Sequence, residues 1–208
     1  AAYESALQVL ESLGASVTEI SLPLTDLALA VYYIIAPSEA MANLARYDGF
    51  KYGHSSSQAD DAWDLMKLSR GEAFGAEVKR RIILGGYALS AGYYDAYYKK
   101  AQQVRSLIRK EFSEFFQKFD VLVTPTSPTV AFKVGSRAKE PLSMYMSDIC
   151  TIPANIAGLP AISVPAGSSG NLPVGLQIVG PPSADSRVIS IAHSYEQATP
   201  WHLEHPPL

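Results

Sequence analysis

The stretch NIAGLPAISVPAGSSGNLPVGLQIVG, from Asn155 to Gly180, places backbone-shaping residues around short apolar runs. It contains five glycines and three prolines. Its apolar runs predict two buried strands, Ala161–Val164 and Val174–Val179, with Gly167–Pro173 as the turn between them. Tight turns and close strand packing explain the glycines taken alone. The whole pattern indicates backbone shaped closely around either a substrate or a neighbouring strand.

The composition indicates a globular chain without a basic surface. The 208 residues are 48% hydrophobic and 18% charged, with a formal net charge of −3, so the chain does not itself predict nucleic-acid binding. Contact with RNA through a partner stays open. Cys150 is the only cysteine, which excludes an intrachain disulfide and a Cys-based zinc site. The four histidines lack metal-ligand spacing, and Cys150 is interpreted as a buried, inert thiol.

Two further features concern the extent of the chain. The longest apolar run, Leu27–Ala36, is about half of the ~20 residues that a membrane span needs, so we expect a buried helix and no membrane partner. The first residues already follow a helical pattern and lack an initiator methionine. We therefore expect a piece of a longer polypeptide.

Local patterns predict a mixed α/β chain in which helices predominate. Helices are predicted over residues 1–13 with Gly14 as the cap, Leu27–Tyr47 with a break or kink at Pro37, Ala62–Arg70 followed by Gly71, Glu72–Leu84 followed by Gly85-Gly86, Tyr87–Phe119, part of Leu142–Asn155, and Ser186–Gln197. Two more strands are predicted at Ser16–Leu22 and Asp120–Thr124. The strands are few and apolar on both sides, which is typical of a covered central sheet. Residues 200–208 are predicted to be a frayed tail.

The glycine–proline pattern resembles a known hallmark. N-x-x-G-x-P at Asn155–Pro160, followed by P-x-G and then P-x-G-x-Q at Pro173–Gln177, resembles the C-terminal hallmark of the amidase signature family. Longer segments resemble, in order, the A subunits of glutamine-dependent tRNA amidotransferases within that family. These segments are Val31–Gly53, Phe74–Arg105, Val121–Pro128 and Met144–Pro160.

This resemblance implies a fold and an activity. The implied fold is the α/β amidase-signature fold, a mixed central sheet covered by helices, of which residues 1–208 form an incomplete C-terminal portion of one domain. The implied activity of the full-length parent is hydrolysis of glutamine to glutamate and ammonia. A partner subunit then uses ATP and magnesium to convert glutamyl-tRNA(Gln) to glutaminyl-tRNA(Gln). The implied partners are the B and C subunits, with tRNA held mainly by B, in the bacterial cytoplasm or in a chloroplast or mitochondrial matrix.

The catalytic residues implied by the resemblance are not found in this sequence. Family members use a serine, a second serine on a cis peptide and a lysine, all from a Gly/Ser-rich region. Ser55–Asp61 lacks the lysine and the surrounding glycines. The nucleophile and its base are therefore expected upstream of residue 1, and the isolated chain is expected to be inactive without a cofactor or metal of its own.

Three residues match family positions that hold glutamine: Tyr32, Arg81 and Asp148. An arginine suits the α-carboxylate of free glutamine because its planar fork binds carboxylates bidentately, and an aspartate suits the α-ammonium. Each also has a simpler interpretation. Arg81 can be a solvated helix charge, Asp148 can cap the following helix, and Tyr32 can be a core residue. Tyr33 is kept as an alternative because it neighbours Tyr32.

Three other residues, Gly158, Pro160 and Gly167, are predicted to shape the pocket floor through close backbone approach and fixed φ. Two alternative functions remain open at this point. The chain can belong to a general carboxamide hydrolase of the same family, or it can be a non-catalytic interaction module.

Overall fold

The computed structural model describes residues 1–137 and 141–205 of the chain. Contacts between residues divide it into two compact units. Unit 1 comprises Ala1–Leu29 and Arg105–Leu208, and unit 2 comprises Ala30–Val104. That residues 1–208 belong to one amidase domain stays a prediction.

Helices predominate, as the sequence predicts. They are α1 (Ala2–Ser12), α2 (Ala28–Leu44), α3 (Ala62–Ala73), α4 (Ala76–Leu89), α5 (Lys100–Phe115), α6 (Pro141–Tyr145), α7 (Ile152–Ala157) and α8 (Asp185–Gln197). Short 3₁₀ turns lie at Pro23–Leu27, Met146–Asp148 and Trp201–Leu203, and a π-helical turn spans Tyr94–Lys99. The segment Pro23–Leu44 is long and apolar enough to cross a membrane by length and composition, a test that core helices of soluble proteins also pass.

The described strands form one antiparallel sheet in unit 1. They are β1 (Leu122–Pro125), β2 (Ala161–Ser169) and β3 (Leu172–Val179), in the order β1-β3-β2. Both strands of the β2–β3 hairpin are longer than predicted because its turn needs only Gly170 and Asn171. The φ angles of Gly170 and Asn171 are 58° and 65°. Positive φ at both central positions of a two-residue turn gives a twist that matches that of the strands.

One face of the sheet carries the apolar core of unit 1. Helices α1 and α8 pack against β2 and β3, and the hydroxyl of Tyr3 donates to the carbonyl oxygen of Val123 at 3.0 Å. The buried core residues are Ala6, Leu10, Val164, Ala166, Leu176, Ile178, Val188, Ala192 and Tyr195. Burial of these side chains is the main stabilising contribution in unit 1. Trp201 also packs against this core, and residues 206–208 of the predicted frayed tail lie outside the described residues.

The opposite face of the sheet is partly polar, contrary to the prediction of strands that are apolar on both sides. Thr124 and Ser163 both pair with Gln177 on the central strand. Because side chains alternate between faces, these three lie on the face away from the core. The neighbouring residues along each strand are apolar, so the sequence pattern predicted buried strands and did not reveal this polar row.

Unit 2 is helical and contains close backbone contacts. Of the break or kink predicted at Pro37, the break is not present, since α2 continues through this residue. The Pro37 ring is fully buried, and Ser38 Oγ donates to the Ile34 carbonyl oxygen at 2.7 Å. A Cβ placed on Gly85 of α4 would lie 2.1 Å from the Pro37 carbonyl oxygen. The glycine therefore allows α2 and α4 to approach each other closely.

Several predicted helix boundaries were wrong. Gly85 and Gly86 lie inside α4 because packing, not helix termination, requires the glycine. Gly71 lies inside α3, and the helix ends only at Ala73. The long helix predicted over Tyr87–Phe119 is interrupted after Leu89 and continues as the π-helical turn and α5.

Residues 16–22 form no strand in the described structure. Alternating side chains favour a strand only where a neighbouring strand satisfies the backbone donors and acceptors. The described sheet contains only β1, β2 and β3, so this segment gains no such partner.

Candidate functional site

Arg81 and Tyr32, two of the predicted glutamine-binding residues, interact in unit 2. Tyr32 lies on α2 and Arg81 on α4. Arg81 Nε donates to Glu77 Oε1 at 3.1 Å, and Tyr32 lies near enough to the guanidinium to help raise the pKa of Arg81. The close approach of Gly85 to Pro37 lies about one helical turn further along both helices. This packing holds Arg81 and Tyr32 within reach of each other.

The guanidinium of Arg81 is only partly solvated. Desolvation lowers the pKa of Arg81. The hydrogen bond to Glu77 and the interactions with Tyr32 together raise this pKa by more than desolvation lowers it, so the net pKa lies above its ordinary value. The charge is therefore permanent, and Glu77 orients one edge of the fork. Arg80 pairs with the same Glu77 but is more exposed, at 54% compared with 37% for the side chain of Arg81. Because its side chain is 37% exposed and paired with Glu77 on the same helix, the interpretation of Arg81 as a solvated helix charge stays open.

The alternative residue Tyr33 stacks edge-on against Tyr32. The two ring centroids are 5.1 Å apart, with an interplanar angle of 89°. Tyr32 is also among the groups that raise the pKa of Arg81.

Asp148 lies in unit 1, at the end of the 3₁₀ turn Met146–Asp148. Its side chain is exposed, and its carboxylate makes no hydrogen bond or ion pair with the described residues. Helix α7 begins after Thr151 without a side-chain cap, so Asp148 does not act as the predicted alternative, a helix cap. Instead, its carbonyl oxygen accepts from Thr151 N at 3.0 Å and from Thr151 Oγ1 at 3.1 Å.

A buried glutamine ties the segment after Asp148 to the sheet. Gln177 is 5% exposed, and its Nε2 donates at 2.9 Å to both Thr124 Oγ1 and the Cys150 carbonyl oxygen. Gln177 was not among the functional residues predicted from the sequence. The available indication was a long amide side chain within an otherwise apolar strand.

A pocket of about 280 Å³ lies on the polar face of the sheet, beside α7. Its lining consists of uncharged residues, among them hydroxyl and amide side chains: Thr126, Thr151, Ala154, Asn155, Leu159, Ala161, Ile162, Ser163 and Gln177. Thr126 Oγ1 and Ser163 Oγ are hydrogen-bonded at 2.6 Å. A Cβ on Gly175 would lie 2.7 Å from Thr126 Oγ1, so glycine leaves room for this hydroxyl pair. Such a surface offers hydrogen bonds to a neutral polar group and supplies no charge.

The predicted pocket-shaping residues do not themselves line this pocket. Gly158 caps α7 with a φ of 74°, and a Cβ there would meet nothing within 4 Å. Its role is backbone conformation, not the predicted close approach. Pro160 follows the lining residue Leu159, and Gly167 contacts Trp201 in the region of the core. A role of these residues in shaping a substrate site stays a prediction.

A group of serine, carboxylate and histidine side chains occurs in unit 2, but its order differs from that of a catalytic triad. In unit 2, Glu72 accepts from Ser56 Oγ at 2.8 Å and lies 2.5 Å from His54 Nε2. The carboxylate lies between serine and histidine here, whereas a catalytic triad places the histidine between the other two. Burial raises the pKa of the Cys150 thiol, which disfavours a reactive thiolate. Within the described ranges, no group of three metal-ligating side chains occurs.

Comparison with curated proteins identifies close relatives. The A subunit of glutamyl-tRNA(Gln) amidotransferase from Dehalococcoides mccartyi is 60% identical over 204 residues, and its counterpart from Geobacillus kaustophilus is 57% identical over the same length. Each alignment covers 98% of this chain and 42% of the relative. The chain therefore spans less than half the length of the curated relatives that it matches.

Solved structures confirm the fold class. The A subunit of glutamyl-tRNA(Gln) amidotransferase from Thermotoga maritima is 44% identical with a TM-score of 0.70, covering 96% of this chain and 38% of that one. A 6-aminohexanoate cyclic dimer hydrolase, 19% identical, has a TM-score of 0.71 and is matched over 99% of this chain and 42% of its own. At that identity the likeness concerns the fold alone. The chain holds an incomplete portion of the amidase signature fold.

The sequence also matches the Amidase family over residues 1–189. Because this match covers most of the chain, the protein belongs to the amidase family.

Proposed function

We propose that this chain is the substrate-recognition portion of a glutamine-hydrolysing subunit of a tRNA-dependent amidotransferase. The observation that carries the proposal is the 56–60% identity to the A subunits of glutamyl-tRNA(Gln) amidotransferases over 98% of the chain. In the full-length parent, glutamine is hydrolysed to glutamate and ammonia. The reacting serine, the cis-peptide serine and the lysine come from a part of the parent that this chain does not include.

The proposal assigns the two charges of glutamine to two residues. Arg81 binds the α-carboxylate, for which its permanent charge and its orientation by Glu77 are suited. Asp148 binds the α-ammonium, for which its exposed carboxylate is free of partners among the described residues. Both assignments follow the chemistry of the ligand, since an amino acid needs a fixed cation and a fixed anion.

The proposed context is a complex of subunits. Ammonia passes to a B subunit, which holds tRNA and uses ATP and magnesium to convert glutamyl-tRNA(Gln) to glutaminyl-tRNA(Gln), and a C subunit completes the assembly. The bacterial sources of the named relatives favour the cytoplasm as its compartment.

The test measures glutaminase kinetics in the full-length parent. Arg81→Ala should raise KM for glutamine by about tenfold or more, because it removes a charge-assisted contact to the substrate. Arg80→Ala is the matched control, since Arg80 shares Glu77 but is more exposed. Equal kinetics for the two variants would contradict the proposed role of Arg81. The 208-residue chain assayed alone should release no glutamate, and activity there would reveal a nucleophile within it.

A substrate comparison separates this proposal from a general carboxamide hydrolase. The parent should prefer glutamine to an amide that lacks the α-ammonium, and Asp148→Asn should reduce this preference. Equal kcat/KM for both amides in the unmodified parent would favour the general hydrolase. If the parent hydrolyses neither amide, the chain functions as an interaction module.

A further inference from the structure

The turn that carries Asp148 is anchored on its C-terminal side by hydrogen bonds to two carbonyl oxygens. Thr151 binds the Asp148 carbonyl oxygen, and Gln177 binds the Cys150 carbonyl oxygen. On its N-terminal side, two nearby side chains, Met144 and Met146, are 43% and 41% exposed. Apolar burial therefore contributes little to fixing this side of the turn.

Arg137 provides an anchor on this side of the turn. Its Nη1 donates to Ser147 Oγ at 2.5 Å, and Ser147 is the residue directly before Asp148. Ser147 Oγ in turn donates to the Ser143 carbonyl oxygen at 3.4 Å. The Ser147 hydroxyl thus accepts one hydrogen bond from the arginine and donates one to a nearby backbone carbonyl.

The same guanidinium also holds the loop that follows β1. Nη2 donates to Thr129 Oγ1 at 3.2 Å, and the guanidinium carbon stacks over the ring of Phe132 at 3.9 Å from its centroid. Arg137 therefore bridges two segments of the chain, the loop after β1 and the turn before Asp148. The forked, planar guanidinium is suited to binding both hydroxyls while it stacks on the ring.

We propose that Arg137 is a positioning residue for substrate binding, which holds the Asp148 carboxylate in place through Ser147 and the loop after β1. The inference rests on the proposed function, because it assumes that Asp148 binds the substrate ammonium. Arg137 itself does not touch the substrate. Its effect on glutamine passes entirely through Asp148.

The test is a double-mutant cycle in the full-length parent. Arg137→Ala should raise KM for glutamine about tenfold with kcat within about twofold, since it weakens binding and leaves the reacting groups unchanged. In the Asp148→Asn background the same substitution should add less than about twofold, because residues that act as a unit are not additive. Arg137→Lys should give an intermediate KM, since a single ammonium keeps the charge but holds only one segment.

Two further variants make the test robust. Arg187→Ala removes an exposed arginine of the same unit that pairs with Asp120 at 3.2 Å, and it should leave KM unchanged. Ser147→Ala removes the hydrogen bond between Arg137 and Ser147 by deleting its acceptor, and it should raise KM as Arg137→Ala does. This variant keeps the test decisive if Arg137→Ala fails to fold. Faster amide hydrogen exchange over residues 143–148 in either variant would report the released turn directly.

The outcomes separate the two proposals. If Asp148→Asn raises KM but Arg137→Ala and Ser147→Ala do not, the positioning role is wrong and the proposed function stands. If the effects of Arg137→Ala and Asp148→Asn are additive, or if Arg137→Ala lowers kcat and thermal stability without a specific rise in KM, Arg137 has only a structural role. If Asp148→Asn itself leaves KM unchanged, the assignment of the ammonium to Asp148 fails, and the inference about Arg137 fails with it.

Discussion

The two units of this chain are stabilised by different kinds of contact. Unit 1 has a continuous apolar core between α1, α8 and the sheet, in which Leu176, Ile178 and Tyr195 are fully buried. The fully buried side chains of unit 2 include Pro37, Ser38 and Ser69. Apolar burial thus dominates unit 1, whereas close backbone approach and side-chain-to-backbone hydrogen bonds are prominent in unit 2.

The same contrast shows how each candidate residue is supported. Arg81 depends on the spacing of α2 and α4, which a single methyl group on Gly85 would change. Asp148 depends on polar bonds from Gln177 and Arg137 to neighbouring atoms. The positions of Arg81 and Asp148 therefore depend mainly on helix spacing and on hydrogen bonds, and less on apolar burial.

The largest expected effect is in the core of unit 1. Leu176→Ala should lower the free energy of unfolding by about 3 kcal/mol, because it removes a completely buried side chain and leaves a cavity. Chemical denaturation of the purified protein measures this loss. The control is Leu107→Ala, since Leu107 is 52% exposed and its removal should change stability little. A small effect of Leu176→Ala would contradict the role given to the apolar core.

A somewhat smaller effect is expected in unit 2. Gly85→Ala should destabilise the protein by about 2 kcal/mol, because the new Cβ would overlap the Pro37 carbonyl and force α2 and α4 apart. Gly71→Ala is the matched control within a helix, with nothing near its Cβ, and it should be neutral or slightly stabilising. Equal stability of the two variants would show that helix spacing is not critical.

A third substitution should stabilise unit 1. The hydroxyl of Tyr195 is buried and has no hydrogen-bond partner among the described residues. Tyr195→Phe should therefore raise the free energy of unfolding by about 1 kcal/mol, since it removes an unsatisfied polar atom and keeps the ring. Thermal unfolding of the two proteins compares them directly, and a loss of stability would indicate a partner for this hydroxyl.

The smallest expected effect is a pH-dependent loosening of residues 54–56 in unit 2. Hydrogen bonds from His54 and Ser56 lower the pKa of Glu72. Because the folded-state pKa is lowered, the stability that ionised Glu72 contributes is fully present above the pKa of glutamate in the unfolded chain, about 4.3. This stability is lost as the pH falls through the folded-state pKa. The protection factors of the amides at residues 54–56, which compare the observed exchange with the intrinsic rate at the same pH, should therefore fall in acid. Glu72→Gln should already exchange faster at neutral pH, and an unchanged rate would contradict this anchoring.

Much of the fold was predictable because it depends on local patterns. Helix α1 ends before Gly14, whose φ is 96°, and α8 differs from its predicted start by one residue. The β2–β3 hairpin was predicted from the glycine–proline punctuation. The predictions failed where a long-range contact decided the outcome, as at Gly85 and in residues 16–22.

The sequence by itself determined the family and the residue types of the candidate site, because these depend on the order of side chains along the chain. The motif around Arg81 and the hallmark from Asn155 were sufficient for both. Only the tertiary structure revealed that Glu77 orients Arg81 close to Tyr32, and that Gln177 and Arg137 hold the segment around Asp148. Most of these contacts join residues from different elements, and their distances depend on packing, which no local sequence pattern specifies.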